Sequence, residues 1–375
     1  MKQLSLMTAA SIAFSASGVI AGGIERSTQS AMVLFEKGNY AELSFSHVAP
    51  SVTGVGAGTV ANPAQPTPGA ASGNMAKSYS QIGFAYKHQI NDRLSAALIY
   101  DVPYGANVLY PAATGYFNRG AQAEINSSSL TALIKYTTPS NFSVFGGLRY
   151  QRMDANAIVP IVGGYTVNTT TDSGTGFVLG AAYEKPEIAL RVALTYNSKI
   201  DHAVTSTEAF NFGAIPTPDS TTRFSTPESL NLEFQSGVNA NTLVFGSIRW
   251  VGWSNFNLSP AQYVGATGDP IVSYSNDVIT YNIGVGRKFN DTWSAALTLG
   301  YEKSNGPFSA NLGPTDGNLS IGLGGTYKKG KMKITAGVRY VDIGNAQTTL
   351  AANLPASNFT SNHAVAVGFK IGYSF

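Results

Sequence analysis

The last thirteen residues of the chain, His363–Phe375, limit its fold more than any other stretch. From Val365 onward every second residue is large and apolar, and the residues between are small or polar. Alternation with a period of two residues indicates a β-strand whose two faces meet different surroundings. A strand of about ten residues is long enough to cross a membrane at a tilt, although a soluble β-sandwich also contains such strands.

The rest of the chain repeats this pattern, and its connections alternate between two lengths. Six tight turns are predicted at 89–92, 138–141, 185–187, 237–241, 290–292 and 329–331. Seven longer loops are predicted at 50–76, 106–121, 157–164, 207–220, 258–270, 306–316 and 346–356. This order gives fourteen strands, with both chain ends on the side of the short turns. Short periplasmic turns and long external loops are typical of outer-membrane barrels.

The two faces of the predicted strands differ in the way that a membrane requires. Over 142–151, one face carries mainly Phe, Val, Leu and Tyr, while the other includes Ser143, Arg149 and Gln151. The apolar face must meet lipid, because a charge there costs about 2–4 kcal/mol at mid-membrane. Aromatic residues on the outward parity suit interfacial girdles: Tyr86, Tyr100, Tyr136, Tyr150, Tyr196, Trp250, Tyr301 and Tyr340. We therefore predict an all-β transmembrane antiparallel barrel of about 14 strands.

Composition supports this fold class and excludes several functions. Charged residues make up only 12% of the chain, roughly half the usual share. The net charge of +3 is small and the basic residues are scattered, so no nucleic-acid partner is expected. The chain has no cysteine, and therefore no disulfide framework and no thiolate metal site.

The amino terminus reads as an export signal. Residues 1–21 have a lysine near the start and then an apolar, small-residue run, which predicts a secretory signal peptide; the alternative is a buried helix. Residues 22–37 show no β alternation, and form either a periplasmic tail or a hatch inside the lumen. The barrel itself is expected to span 38–375.

Several stretches resemble the outer-membrane long-chain fatty acid transporter (FadL/TodX) family. The similar stretches are Ile24–Phe45, Gly83–Ser95, Tyr100–Gly105, Arg249–Phe256 and Gly284–Ser294. The Tyr-Gly pair after the third strand and the Trp-x-x-Trp-Ser-x-Phe stretch are moderately specific. The resemblance covers essentially the whole mature chain and agrees with fourteen strands.

The resemblance implies passive uptake of hydrophobic compounds, above all long-chain fatty acids, by a monomer surrounded by outer-membrane lipid and lipopolysaccharide. An amino-terminal hatch, here with Met32, Leu34 and Phe35, would close the lumen. Ligand would leave sideways at a kink after the third strand, matched here by Pro103, Tyr104 and Gly105. A proline that merely ends the strand at the outer rim is the alternative. The hatch is short and lacks the family's usual Asn-Pro-Ala motif, so it departs from the family pattern at this point.

The strand parity also predicts which charged residues line the lumen. Asp101, Arg149, Arg249 and Arg339 lie at matching depths, and Arg191 and Lys135 also point inward. Arginine binds carboxylates in a two-pronged geometry, so these residues are candidates for holding a fatty acid headgroup, with the tail against Phe145 or the hatch. The alternative is a structural network that pairs the arginines with Asp101, Glu233 or Glu302.

Two other functions remain open from the sequence. A general porin for small hydrophilic solutes would have an inward-folded constriction loop with facing acidic and basic clusters and no hatch, and a surface receptor would act through its long loops. Catalysis is not expected, since the four histidines are scattered and no triad pattern is present. No cofactor and no metal site are expected either.

Overall fold

The computed structural model describes residues 23–57, 68–306, 308–350 and 354–375. Its main feature is a closed barrel of 14 antiparallel strands. In chain order, β1–β14 are Tyr40–Ser51, Tyr79–Gln89, Leu94–Asp101, Gln122–Thr137, Phe142–Val159, Asp172–Lys185, Leu190–Asn197, Ser229–Asn239, Thr242–Val251, Val278–Lys288, Trp293–Glu302, Asn318–Lys329, Met332–Ile343 and Asn362–Ser374. The last strand pairs with the first, from Tyr40↔Ser374 to Ser51↔His363. The predicted fold class and strand number are confirmed; the predicted signal peptide lies outside the described residues.

The side chains alternate across the barrel wall as the sequence predicts. On β5, Leu148 points outward and is 63% exposed, whereas the neighbouring Arg149 points inward and is 6% exposed. The described residues form the 3₁₀ helices Met32–Phe35, Pro186–Ile188 and Trp253–Asn255 and the α-helix Ala261–Thr267, here α1. Within the described part of the chain, no helix is both long and apolar enough to cross a membrane.

The long connections contain more β-structure than the sequence predicts. Besides the fourteen barrel strands, the described residues form eleven more: Gly54–Gly56, Ala106–Leu109, Tyr165–Thr169, Ile200–Phe210, Ile215–Pro216, Ser220–Thr226, Asn257–Leu258, Val272–Ser273, Phe308–Ser309, Ala346–Leu350 and Leu354–Phe359. The predicted loops at 157–164 and 207–220 are therefore partly strands, and β5 continues to Val159. Beyond the membrane, a strand no longer needs one apolar lipid face, so the signal that identifies transmembrane strands is missing there.

On the side of the long connections, these segments enclose a group of buried apolar side chains. The ring of Trp253 is its centre, and lies 5.7 Å from the ring of Tyr104, 5.5 Å from Phe256 and 4.9 Å from Tyr274. We call Ile24, Tyr104, Phe224, Trp253, Phe256 and Tyr274 the outer apolar cluster. The outer half of the lumen thus contains a cluster of apolar and aromatic side chains.

Glu208 joins three of the long connections outside the membrane. Its buried carboxylate accepts the hydroxyls of Tyr165 and Ser220, each at 2.8 Å. It also accepts the N–H groups of Gln262 and Tyr263 at the start of α1, at 3.0 and 3.1 Å. Burial, and then the bond to Glu208, raise the pKa of Tyr165, so this phenol stays protonated and donates. One carboxylate therefore fixes α1 to the hairpin beside it.

We predict that Glu208→Ala releases α1 without unfolding the barrel. The substitution leaves four donors without their acceptor, at about 1–3 kcal/mol for each that stays buried and unsatisfied. Amide hydrogen exchange at Gln262 and Tyr263 should accelerate, and proteases should cut within 252–277. Glu208→Gln keeps one acceptor oxygen and should give an intermediate rate. Exchange in the Ala variant at the original rate would contradict this role.

Candidate transport site

The segment Gly23–Asn39, called the plug below, lies inside the lumen and contacts separate parts of the wall. Glu25 forms an ion pair with Arg249 of β9, with 3.0 Å between Oε1 and the arginine Nε. At the other end of the plug, Glu36 pairs with Lys333 of β13 at 2.8 Å. Charged contacts on different strands therefore hold the plug across the barrel.

The barrel wall has a gap beside β3. The β1–β2 ladder extends to Tyr79, but the β2–β3 ladder begins only at Phe84. β3 ends at Asp101, and the chain pairs again with β4 from Ala106. The four residues between, Val102–Gly105, are called the kinked segment below. The wall is therefore open between this segment and the first residues of β2.

The kinked segment is hydrogen-bonded to the plug. It contains Pro103, Tyr104 and Gly105, the three residues at which the sequence predicts a kink for lateral release. The Pro103 carbonyl accepts the N–H of Arg26 at 2.8 Å, and the Gly105 N–H donates to the carbonyl of Ile24 at 2.8 Å. Tyr104 is buried in the lumen against Trp253. The chain pairs again with β4 beyond the kink, so Pro103 does not mark the end of this wall at the outer rim.

Three of the predicted lumen residues form side-chain hydrogen bonds with the plug: the pairs are Arg149–Gln29, Arg249–Glu25 and Asp101–Ser27. Polar groups of the plug thus occupy positions where the sequence predicts a ligand carboxylate. The structural network expected as the alternative pairs the arginines with Asp101, Glu233 or Glu302. Arg249 instead forms its ion pair with Glu25, which sequence reasoning missed.

Three further predicted residues, Lys135, Arg191 and Phe145, contact the ring of Phe35 near the end of the plug. Lys135 and Arg191 lie over the ring of Phe35, with Nζ at 4.3 Å and Cζ at 4.9 Å from its centroid. The ring of Phe145 meets that of Phe35 edge-on at 5.9 Å, and Met32 and Leu34 pack in the same buried cluster. The sequence predicts that a ligand tail packs against Phe145, but in the structure Phe35 of the plug makes this contact.

Arg339 differs from the other predicted cations. Within the described residues it makes no hydrogen bond and no ion pair, and its Nε is buried. Sequence reasoning also missed Arg26 and Gln29. The available signal was weak: Glu25, Arg26 and Gln29 are polar residues in a short segment without β alternation.

Two cavities lie on either side of the plug. A cavity of about 160 Å³ lies at the gap. Its walls include the lumen-facing Ser27 and Ser44 and the outward-facing Phe45, Ile82 and Phe84, so it connects the lumen side to the lipid side. A vestibule of about 1410 Å³ lies on the short-turn side, below Met32 and Phe35.

We predict that Arg249→Met loosens the plug. Removing one partner of a buried ion pair costs about 3–5 kcal/mol, because the remaining Glu25 carboxylate stays largely shielded from water. Ion conductance through single barrels in a planar lipid bilayer should rise from near zero to frequent openings. Arg339→Met removes the same charge without touching the plug and should leave the barrel closed. Equal conductance in both variants would argue against the ion pair as an anchor.

Comparisons with known proteins agree with this architecture. The family model described as outer membrane protein transport protein (OMPP1/FadL/TodX) matches residues 3–375. A Pseudomonas aeruginosa FadL homologue has a similar structure, with a TM-score of 0.74, 15% identity and 92% of each chain covered. The P. putida toluene transporter TodX is also similar, with a TM-score of 0.64, 14% identity and 91% of each chain covered. For the Ralstonia pickettii toluene transporter TbuX the TM-score is 0.63 and the identity 14%, and the match covers 91% of this chain and 90% of TbuX.

No curated protein matches the chain significantly. At these identities the solved structures establish the shared fold alone. The family model, in contrast, covers nearly the whole sequence. The chain therefore belongs to the OMPP1/FadL/TodX family of transport proteins, channels for hydrophobic compounds in the outer membrane of Gram-negative bacteria.

Proposed function

We propose that this channel takes up long-chain fatty acids and releases them sideways into the membrane through the gap beside β3. The observation that carries the proposal is the broken β2–β3 ladder, together with a cavity that reaches both the lumen and the lipid-facing side chains. In this proposal the plug acts as the hatch, and the outer apolar cluster receives the ligand from the cell exterior.

The two halves of the lumen favour this route for an apolar ligand. The outer apolar cluster offers contacts that a fatty acid tail gains by leaving water, at about 0.8 kcal/mol per buried CH₂. Below it, the plug blocks the straight path with ion pairs to β9 and β13. A single barrel suffices for this path, since a second subunit at the gap would cover its lipid side.

Aromatic hydrocarbons are a second candidate ligand class. The rings of Tyr104, Phe256 and Tyr274 all meet Trp253 at tilted or edge-on angles. A flat aromatic ligand can form the same offset or edge contacts, each worth about 0.5–1.5 kcal/mol. The family relatives TodX and TbuX, which are toluene transporters, are consistent with this class.

The test is uptake by cells that lack their own transporter and express this chain. Labelled oleate, toluene and a hydrophilic sugar are compared under the same conditions. Oleate uptake above the sugar background supports the proposal, and toluene uptake alone supports the second candidate. Equal passage of the sugar would favour the general porin, and uptake of none of the three would favour a role of the outer loops.

We predict that tethering the plug to the kinked segment stops uptake. Glu25 and Tyr104 form an isolated antiparallel bridge, whose Cα atoms lie about 4.5–5.5 Å apart and suit a disulfide. The chain contains no cysteine, so Glu25→Cys with Tyr104→Cys introduces a single possible bond. Oxidised cells should take up oleate at least about tenfold more slowly than the same cells after reduction, a barrier change of about 1.4 kcal/mol.

The matched control is Ala76→Cys with Val108→Cys. These residues form the same kind of bridge near the gap, but neither belongs to the plug. Their disulfide should leave uptake unchanged. The reduced double variants report the effect of the substitutions alone. Full uptake through the oxidised 25–104 tether would mean that the plug need not separate from the kinked segment.

A further inference from the structure

The guanidinium of Arg26 lies in the gap of the barrel wall. It contacts both borders: its Cζ lies 3.3 Å from the ring centroid of Tyr79 on β2, and its Nε donates to the carbonyl of Gly105 at 3.0 Å. Its Nη2 donates to Asn107 at 3.3 Å, just beyond the kinked segment. Arg26 is only 5% exposed. The plug therefore places a fixed positive charge at the proposed exit.

This charge has no carboxylate partner within the described residues, unlike the other cation at the same cavity. Lys370 also lines the cavity, and its charge is paired with Glu42 at 3.4 Å. The acids of the plug are also engaged, Glu25 with Arg249 and Glu36 with Lys333. A buried cation without an opposite charge is costly, and an anion that arrives beside it offsets that cost.

Among the described residues, the hydrogen bonds of Arg26 leave some of its N–H donors without an acceptor. A guanidinium carries five N–H donors in a rigid plane. The contacts with Gly105 and Asn107 use two of them, and Tyr79 covers one flat face. These contacts hold the plane in one orientation, and a preorganised fork favours a two-pronged carboxylate over a point charge or a neutral hydroxyl.

We propose that Arg26 binds the carboxylate of an acidic amphiphile at the lateral exit and so selects acids over neutral compounds of the same length. This inference rests on the proposed lateral release. With the headgroup at Arg26, the tail extends past the outward-facing Ile82 and Phe84 of β2 into lipid. Arg26 is thereby a specificity residue of the exit rather than only a latch that holds the plug.

The experiment compares uptake of labelled oleate with that of oleyl alcohol, which has the same tail and no charge. Wild-type protein should prefer the acid at neutral pH. In Arg26→Met the preference should fall about tenfold, as expected for losing a hydrogen-bonded charge pair, while alcohol uptake stays within about twofold. Arg26→Lys keeps the charge but not the fork, and should recover part of the preference.

Arg119→Met is the matched control, because Arg119 is exposed in the long connection after β3. It should keep the wild-type preference. The heat-dependent electrophoretic shift of a folded barrel verifies that each variant has folded. A selective loss of acid uptake in Arg26→Met, partly restored by lysine, supports the proposal. Equal loss of both compounds, or no change in either, overturns it and leaves Arg26 a structural part of the plug.

The same data separate this inference from the proposed function. If wild-type cells take up neither oleate nor the alcohol, the proposed uptake is wrong and the role of Arg26 falls with it. If wild-type cells take up both without preference, lateral uptake stands and acid selection is overturned.

Discussion

The structure depends on the need to satisfy every backbone hydrogen bond at the depth of the membrane. An unbroken barrel meets this need by pairing every strand on both edges, and each unsatisfied group in lipid costs several kcal/mol. This barrel breaks the rule between β2 and β3, where the ladder begins only at Phe84. The plug compensates on one border, since Arg26 and Ile24 bond the backbone of the kinked segment. The gap in the wall and the closure of the lumen are therefore one arrangement.

The same short segment also supplies polar partners for charged side chains in the lumen. The inward arginines would be costly inside a closed barrel without partners, and Glu25 and Gln29 of the plug supply partners for Arg249 and Arg149. Movement of the plug must therefore replace these contacts with water or with polar groups of a ligand. A fatty acid carries one such group, whereas an aromatic hydrocarbon carries none. The two proposed ligand classes thus make different demands on the plug.

The barrel was predictable from the sequence, because lipid outside and water inside impose a period of two residues on every transmembrane strand. The connection lengths then gave the strand number. The plug contacts were not predictable to the same degree. Glu25 and Arg249 are 224 residues apart, and parity shows only that Arg249 points inward, not which acid it meets. The outer hairpin around Glu208 was missed because its strands have no lipid-facing side to mark them.

The vestibule explains why a sideways path is favourable for an apolar ligand. A ligand that passed straight through the barrel would enter a space of about 1410 Å³ lined by charged side chains, among them Lys87, Glu184, Arg191 and Lys288. Each CH₂ exposed to water there costs about 0.8 kcal/mol, so a long tail would face a barrier that grows with its length. At the gap the tail meets Ile82, Phe84 and then lipid, and the cost does not arise. Long ligands should therefore depend on the gap more than short ones, which links chain length to the route of release.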